Sequence, residues 1–440
     1  MAKELTAGEV AAELKKRGVS FKIDAKASTV RLTLLPGASR GPARELLYKA
    51  LNLLEPHFNV FLEGFPACFM PDAWDHVLYR KKPGTAYFRV KACAACRLRR
   101  LCPGLAKGGP FSGPRAGELS PVLPVPAEVV FELTKKCNLN CRLCFASASG
   151  EVQPLPVLLR TLNAAAALGV KNVRFTGGEP FLSPSLLPLL KAAKKAGLYT
   201  LVNTNAALPA PKFFRDAAPF IDNVLVSLQA ASPVEEKRVT GGDLRVKLFN
   251  MRLLRKTVPV FRLGTVASSE LLAGFRVFHR LAAGLKADVW EIYRPMPDGR
   301  KRAKAAEYEL GPQDFRRLSA MIAALPPGAP ATLLANPLPL CLVPQAQRVK
   351  LLGAAYDDGH TRLVFDPRGF FKPSYYIEDR LGKDLAAAWR SARLAKITSC
   401  AGLPAACRGC DYLFKCLGGS RAAARAAHGV YSAPDPWFSS

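Results

Sequence analysis

No apolar run in this sequence approaches the roughly 20 residues that a membrane-spanning helix needs. Even LLPLLKAAKKAG, at 186–197, is interrupted by lysines. The opening segment MAKELTAGEVAAELKKRG has no apolar core of the kind a secretory signal carries. It reads as a short amphipathic helix with Thr6 and Glu9 placed for a capping box. These two absences point to a soluble, cytoplasmic protein with no membrane partner. Acidic residues are also scarce, with 34 Asp and Glu against 63 Lys and Arg and a formal charge of +29. Such an excess favours RNA, a phosphorylated substrate or an acidic peptide. The basic residues are spread through KKR (15–17), RKK (80–82), RLRR (97–100) and GRKRAK (299–304) rather than gathered in one element. A nucleic-acid partner and a merely solvated basic surface therefore both stay open. There is no internal repeat of solenoid period, which excludes a stacked-repeat architecture.

The chain has 440 residues, 49% of them hydrophobic, enough for a large core and for two or three domains. Residues 1–105 read as a small α+β unit: a helix near 6–17, strands VSFKID and VRLTLL, a helix over ARELLYKALNLLE and the strand NVFLEG. Residues 106–126 are rich in Gly and Pro and read as a linker. From 127 to 326 short apolar strands alternate with helices: EVVFELT, KNVRFT, YTLVNTN, NVLVSLQ, FRLGTVA and DVWEIYRP. Apolar strands separated by helices imply a parallel sheet built by right-handed crossovers. Six such units make an α/β core, a partial (β/α)6 TIM-like barrel or an open sheet, with function at the C-terminal ends of the strands. Residues 327–440 form a last module, with a hairpin expected in TRLVFDPRGFFKPSYY and a helix over DLAAAWRSARLAK.

The 12 cysteines sort into three sets. Disulfide frameworks belong to small secreted domains, so CxxC pairs in this chain read as metal ligands. Cys68, Cys93, Cys96 and Cys102 supply four ligands, enough for one zinc or one 4Fe-4S cluster. Cys137, Cys141 and Cys144 follow the strand VVFELT directly and supply only three. Three thiolates hold three corners of a four-iron cluster and leave the fourth iron open; a zinc site completed by a distant residue is the alternative. The last set holds Cys341, Cys400, Cys407, Cys410 and Cys416. Cys407, Cys410 and Cys416 repeat the CxxCxxxxxC spacing of Cys93, Cys96 and Cys102. Cys400 is the expected fourth ligand, and Cys341, in PLPLCLVP, reads equally as a small buried hydrophobe.

CNLNCRLCF at 137–145 and FTGGEP at 175–180, at the ends of the first two strands, together resemble the radical S-adenosylmethionine (SAM) superfamily. The resemblance implies an enzyme in which SAM chelates the open iron of a 4Fe-4S cluster. An electron then splits the sulfonium to methionine and a 5′-deoxyadenosyl radical, which abstracts hydrogen from substrate. It implies that Cys137, Cys141 and Cys144 carry that cluster and that Gly177, Gly178, Glu179 and Pro180 bind the methionine end of SAM. Ser227 matches a SAM-contacting serine, Asn203 or Asn205 stands at a strand end facing SAM or substrate, and Arg294 is placed to meet a carboxylate. For Asn203, Asn205 and Ser227 the plainer role is capping the helix that follows.

The tail, CRGCDYLFKCLGGSRAAARAAHGVYSAPDPWF, resembles the SPASM or twitch extension, which holds auxiliary Fe-S clusters. It departs from that pattern at Ser374, Ser420 and Phe438, where further cysteines are expected, so two complete C-terminal clusters are not. One or two auxiliary clusters in all are implied, flanking the barrel in an N-terminal and a C-terminal Fe-S-binding module. The tail suits a peptide or protein substrate; tetrapyrrole or haem-type chemistry and RNA modification are alternatives. An electron donor such as flavodoxin or ferredoxin is implied. The reading of a different class is a non-catalytic zinc or Fe-S scaffold that binds RNA.

Overall fold

The structure is a computed structural model that describes all residues except 1–5, 36–42, 79–83, 116, 143, 145–149, 297–309, 327, 329, 355–356 and 439–440. The basic runs at 80–82 and 299–304, Phe145, and Pro297–Arg300 of the sixth-strand motif lie outside the described residues.

In the N-terminal module α1 (Ala7–Lys16) starts at the expected capping box, with Glu9 N donating to Thr6 Oγ1 at 3.3 Å and Thr6 N to Glu9 Oε2 at 2.7 Å. β1 (Val19–Asp24) pairs antiparallel with β2 (Thr29–Leu34), which pairs parallel with β3 (Asn59–Glu63) after the crossover helix α2 (Ala43–Leu54). A short antiparallel pair follows, β4 (Tyr87–Phe88) with β5 (Leu105–Ala106). The segment expected as a linker is packed: Phe111 and Val122 are buried in the N-terminal core, Ser120 N donates to Cys68 O, and Arg97 N to Val122 O. Proline and glycine there shape a docked loop.

The core sheet begins with β6 (Glu128–Glu132), β7 (Asn172–Thr176), β8 (Tyr199–Thr204), β9 (Asn223–Ser227), β10 (Val260–Val266) and β11 (Val289–Tyr293), all parallel. Their apolar residues and those of α3 (Leu155–Ala167), α4 (Leu186–Lys195), α5 (Pro211–Ala217), α7 (Leu244–Thr257) and α8 (Ser269–Gly284) form one buried cluster, while α6 (Pro233–Thr240) buries Val239 apart from it. These are the six expected units. The sheet nevertheless runs past residue 326. β12 (Ala331–Ala335) pairs parallel with β11, and β13 (Arg362–Phe365) pairs parallel with β6 and antiparallel with β14 (Phe371–Lys372). The expected hairpin is thus present, and its first strand is also an arm of the barrel wall. Nine strands result, in the order β12-β11-β10-β9-β8-β7-β6-β13-β14. Among the described residues no helix is long and apolar enough to cross a membrane.

The single helix expected over 384–396 is two, α10 (Leu385–Arg390) and α11 (Ala392–Ile397), after α9 (Pro312–Ala323). Ser391 leaves the helical region, at φ −62° and ψ 142°, and its hydroxyl caps Leu394 N. The N-terminal module docks on the C-terminal one. Arg97 donates to Trp389 O, Gly359 O and Thr398 Oγ1 and lies 4.4 Å over the Trp389 ring, while Phe61 packs edge-on to Tyr412. One hydrophobic cluster holds Trp74 and Leu98 together with Cys400, Leu403 and Phe414.

Candidate active site

The ends of β6 and β7 are joined beyond the sheet. Leu133 N donates to Thr176 O, Gly178 N to Thr134 O at 2.7 Å and Glu179 N to Lys136 O at 2.9 Å. This puts the glycine turn against the strand end that launches the cysteine loop, and it explains both glycines. A Cβ on Gly177 would lie 2.3 Å from Thr134 O, and one on Gly178 only 2.2 Å from Lys136 O. The far side of the loop rests on the C-terminal end of α6, where Asn140 N donates to Thr240 O and Arg142 N to Val239 O.

Within the loop the three thiols lie within electrostatic reach of one another. Burial pushes Cys141 up to about 12, with the charges of Cys144 and then Cys137 adding to it and Lys247 opposing it. Cys137 Sγ accepts from Leu139 N at 3.4 Å and Asn205 Nδ2 at 3.5 Å. Among the described residues no three Cys, His, Asp or Glu side chains close on a point where one ion sits. The donor set, three soft thiols on one loop beside a glycine turn, suits a cluster held at several irons.

Cys137, Cys141, Cys144, Gly177, Gly178, Asn203, Asn205, Ser227 and Arg294 all line one cavity of about 1220 Å³. Glu179 and Pro180, expected beside them, are buried behind its wall. The Glu179 carboxylate is already committed, accepting from Phe181 N (3.1 Å), Thr204 Oγ1 (2.7 Å) and Asn205 N (2.8 Å). It ties the β7 turn to the end of β8, so it positions Asn205 and is turned away from the cavity. Burial pushes this carboxyl up to about 7 against the pull of those donors, whereas in the unfolded chain it titrates near 4.5. Between those values the folded protein holds a proton that the unfolded chain has lost. The resulting stabilisation is complete below the lower value and is lost as pH rises through the upper one. The thermal midpoint is therefore expected to fall between about pH 5 and 8, and Glu179→Gln to flatten that fall. An unchanged slope in circular dichroism would count against this burial.

The cavity floor is a layer of paired charges inside the barrel. Glu128 receives Arg174 at 3.0 and 2.9 Å and Arg362 at 3.5 Å, and Arg362 also meets Asp357 at 3.1 Å. Arg174 donates to Asn203 Oδ1 at 2.9 Å, and Arg262 pairs with Glu291, which Tyr293 also bonds. Burial raises the Glu128 carboxyl, and Arg174 outweighs this to hold it below the usual range. Three arginines thus face three carboxylates, and the floor carries little net charge. The sequence reading missed this layer, whose signal is charge at one phase of otherwise apolar strands. It also missed Lys247, which is fully buried against Glu236 beside the cysteine loop. Lys247 sits on the apolar face of α7 with Leu244, Met251 and Leu254, a lysine at a core position.

Arg294 does meet a carboxylate, and it is this chain's own. It donates to Asp435 at 2.7 and 3.1 Å and lies 3.7 Å over the Trp437 ring, fixing the tail at the end of β11. Asp435→Ala is expected to cost about 3–5 kcal/mol, the penalty of an uncompensated buried charge. The Arg294→Met/Asp435→Leu pair should recover much of that in denaturant unfolding. The GGSR motif belongs to the same knot. In it Ser420 donates to Asp358 and caps α12 (Arg421–His428), and Arg421 donates to Tyr431 O, Ala433 O and Gly418 O. Ser374 and Ser420 are fully buried, and each hydroxyl accepts a backbone N–H.

In the C-terminal set the fold brings Cys341, as well as Cys400, to the other cysteines. Cys341 lies within electrostatic reach of Cys407, Cys410 and Cys416, and the neighbouring Leu340 N donates to Cys416 Sγ at 3.4 Å. Cys400 lies within electrostatic reach of Cys407 and is packed into the apolar cluster shared with the N-terminal module, which Cys407 borders.

Residues 131–268, from β6 to the start of α8, match the family model described as the Radical SAM superfamily. Residues 131–268 carry a radical SAM domain. The superfamily of that domain is one of enzymes that use SAM at a 4Fe-4S cluster, as the two strand-end motifs implied. Over 137 residues the chain is 34% identical to a PqqA peptide cyclase of Ruegeria pomeroyi, covering 30% of this chain and 36% of that protein. Over 234 residues it is 25% identical to an AdoMet-dependent heme synthase of Oleidesulfovibrio alaskensis, covering 49% and 59%. The chain thus spans between about a third and three-fifths of these curated relatives. SuiB of Streptococcus suis bound to S-adenosylmethionine shares the fold, with a TM-score of 0.61 at 18% identity over 71% of this chain and 77% of that one. The radical SAM domain accounts for β6 to β10, and the two outer cysteine sets lie outside it.

Proposed function

We propose that this chain is a radical SAM enzyme that modifies a peptide or protein substrate. The observation that carries the reading is the placement of three thiols and the glycine turn on one wall of a cavity of about 1220 Å³. When bound, a 4Fe-4S cluster and SAM supply reductive cleavage of the sulfonium and a 5′-deoxyadenosyl radical that takes a hydrogen atom from substrate. The chain's own residues hold and orient these groups. Cys137, Cys141 and Cys144 hold the cluster at three corners. The backbone of Gly177 and Gly178, with Asn205 and Ser227, offers polar contacts to SAM, and Asn203 is held by Arg174. Segments on both sides of the domain complete the wall, among them Trp74 and Trp437.

A peptide suits the size of the cavity, which exceeds the roughly 300–1,000 Å³ of ordinary small-ligand sites and so has room for SAM and a chain segment. The relatives named PqqA peptide cyclase support it, as does the SuiB fold described with its precursor peptide SuiA. The balanced floor gives a polyanion such as RNA no net attraction. The experiment is to supply reduced, reconstituted enzyme with fractions of a host lysate and follow 5′-deoxyadenosine. Stimulation that protease destroys and ribonuclease spares is expected; the opposite sensitivity would replace the peptide with RNA.

A further inference from the structure

We infer that Cys68, Cys93, Cys96 and Cys102 hold a second four-iron cluster and that its basic rim receives an acidic one-electron carrier protein. Three short 3-10 turns, Ala67–Phe69, Lys91–Ala94 and Arg97–Arg100, bring the four cysteines together. The strip 120–122 binds both halves, with Ser120 N donating to Cys68 O at 2.8 Å and Arg97 N to Val122 O at 2.9 Å. The sulfurs are prepared as ligands by the same local turn as the catalytic loop. Gly104 N donates to Cys102 Sγ at 3.3 Å, as Leu139 N does to Cys137 Sγ at 3.4 Å. Leu98 N likewise bonds Cys96, again from two residues on. Backbone donors of this kind favour the thiolate that a metal needs and tune a cluster's potential. At Cys68 burial is joined by the charges of Cys102, Cys93 and Cys96, so all three thiols lie within reach of it.

Two features give this site a redox role. From His76 to Gly117 the sequence holds ten Lys and Arg and no Asp or Glu. Arg89, Lys91, Arg99, Arg100 and Lys107 of this stretch are exposed around the cysteines. A four-thiolate cluster is negative and becomes more so on reduction, and these cations stabilise the reduced form while attracting an acidic partner. The chain also links the quartet to the cavity. Cys68 is three residues from Pro71, which lines the wall together with the thiols of the radical SAM domain. One electron passes from the reduced carrier to the oxidised cluster; the carrier is oxidised by one electron, and no atom or proton moves. The electron-entry role rests on the proposed function, and the metal site does not.

The test uses the full reconstituted chain. Cys93→Ala/Cys96→Ala is expected to lose about four iron and four sulfide per chain relative to wild type while keeping the SAM-responsive electron paramagnetic resonance signal. The conservative Cys93→Ser alone serves if the double variant does not fold. Loss of zinc, or no change in metal content, would overturn the site. Arg99→Glu/Arg100→Glu/Lys107→Glu touches no thiol and should retain full iron and full turnover with dithionite. Its oxidation of reduced flavodoxin in stopped flow should slow about tenfold or more and lose its salt dependence. An unchanged rate would overturn the docking rim. Iron bound at the quartet in a chain that never cleaves SAM would refute the proposed function and leave the metal site standing.

Discussion

Replacing Cys141 with alanine is expected to reduce SAM-dependent 5′-deoxyadenosine formation to the level of a no-enzyme control, in a chain that stays folded. The thiol is one of only three on its loop, and two cannot hold three corners of a cluster. Retention of the fold follows from how the loop is held. Its contacts to α6 run through the backbone N–H groups of Asn140 and Arg142, and those to β7 through Thr134 O and Lys136 O. None involves the Cys141 side chain, so the stability cost should be about 1 kcal/mol, that of deleting a methyl-sized group. Product chromatography and circular dichroism on the same preparation separate the two effects. Wild-type product from this variant would dismiss the loop as the catalytic centre.

Gly178→Ala is the second large effect, and it acts on the loop from behind. The new methyl would stand 2.2 Å from Lys136 O and 2.9 Å from Lys135 O, both backbone atoms. Neither moves without breaking the bonds from Gly178 N and Glu179 N that join the two strand ends. Overpacking of this kind costs about 1–3 kcal/mol. A displacement near 1 Å at reacting groups lowers turnover on the order of a hundredfold. Gly197→Ala is the control: its φ of +72° also strains a side chain, but nothing lies within 4 Å. It should lower the melting temperature and leave product formation per folded chain unchanged. Equal activity losses in the two variants would show that general instability, and not the position of the cysteine loop, controls turnover.

The six core strands and the early helices were legible because their apolar periodicity is clean and each is bounded by turn residues. β12 and β13 were assigned to a separate module because ATLLA and RLVF are short and lie among prolines and glycines. Only their pairing with β11 and β6 makes them barrel strands. Spacing marks the cysteines, but sequence distance hides that Cys341 joins the C-terminal thiols. Cys341 is 66 residues from Cys407, and the fold closes that gap. The room that Gly177 and Gly178 make is for the backbone at 134–136. Glu179 was read as a ligand to SAM because the orientation of a carboxylate leaves no trace in a motif. Its three internal donors turn it inward. Lys247 and the arginine floor were overlooked as charges among apolar residues, which is what made them informative.

The central claim is that three thiols on one strand-end loop hold a cluster at which SAM is cleaved. The most direct measurement is 5′-deoxyadenosine per chain after anaerobic reconstitution with iron and sulfide, reduction and addition of SAM. It is to be read against the Cys137→Ala/Cys141→Ala/Cys144→Ala variant. The account predicts product from the wild type, none from the variant, and a difference of about four iron between them. No product from a wild-type chain that binds zinc in place of iron would contradict it.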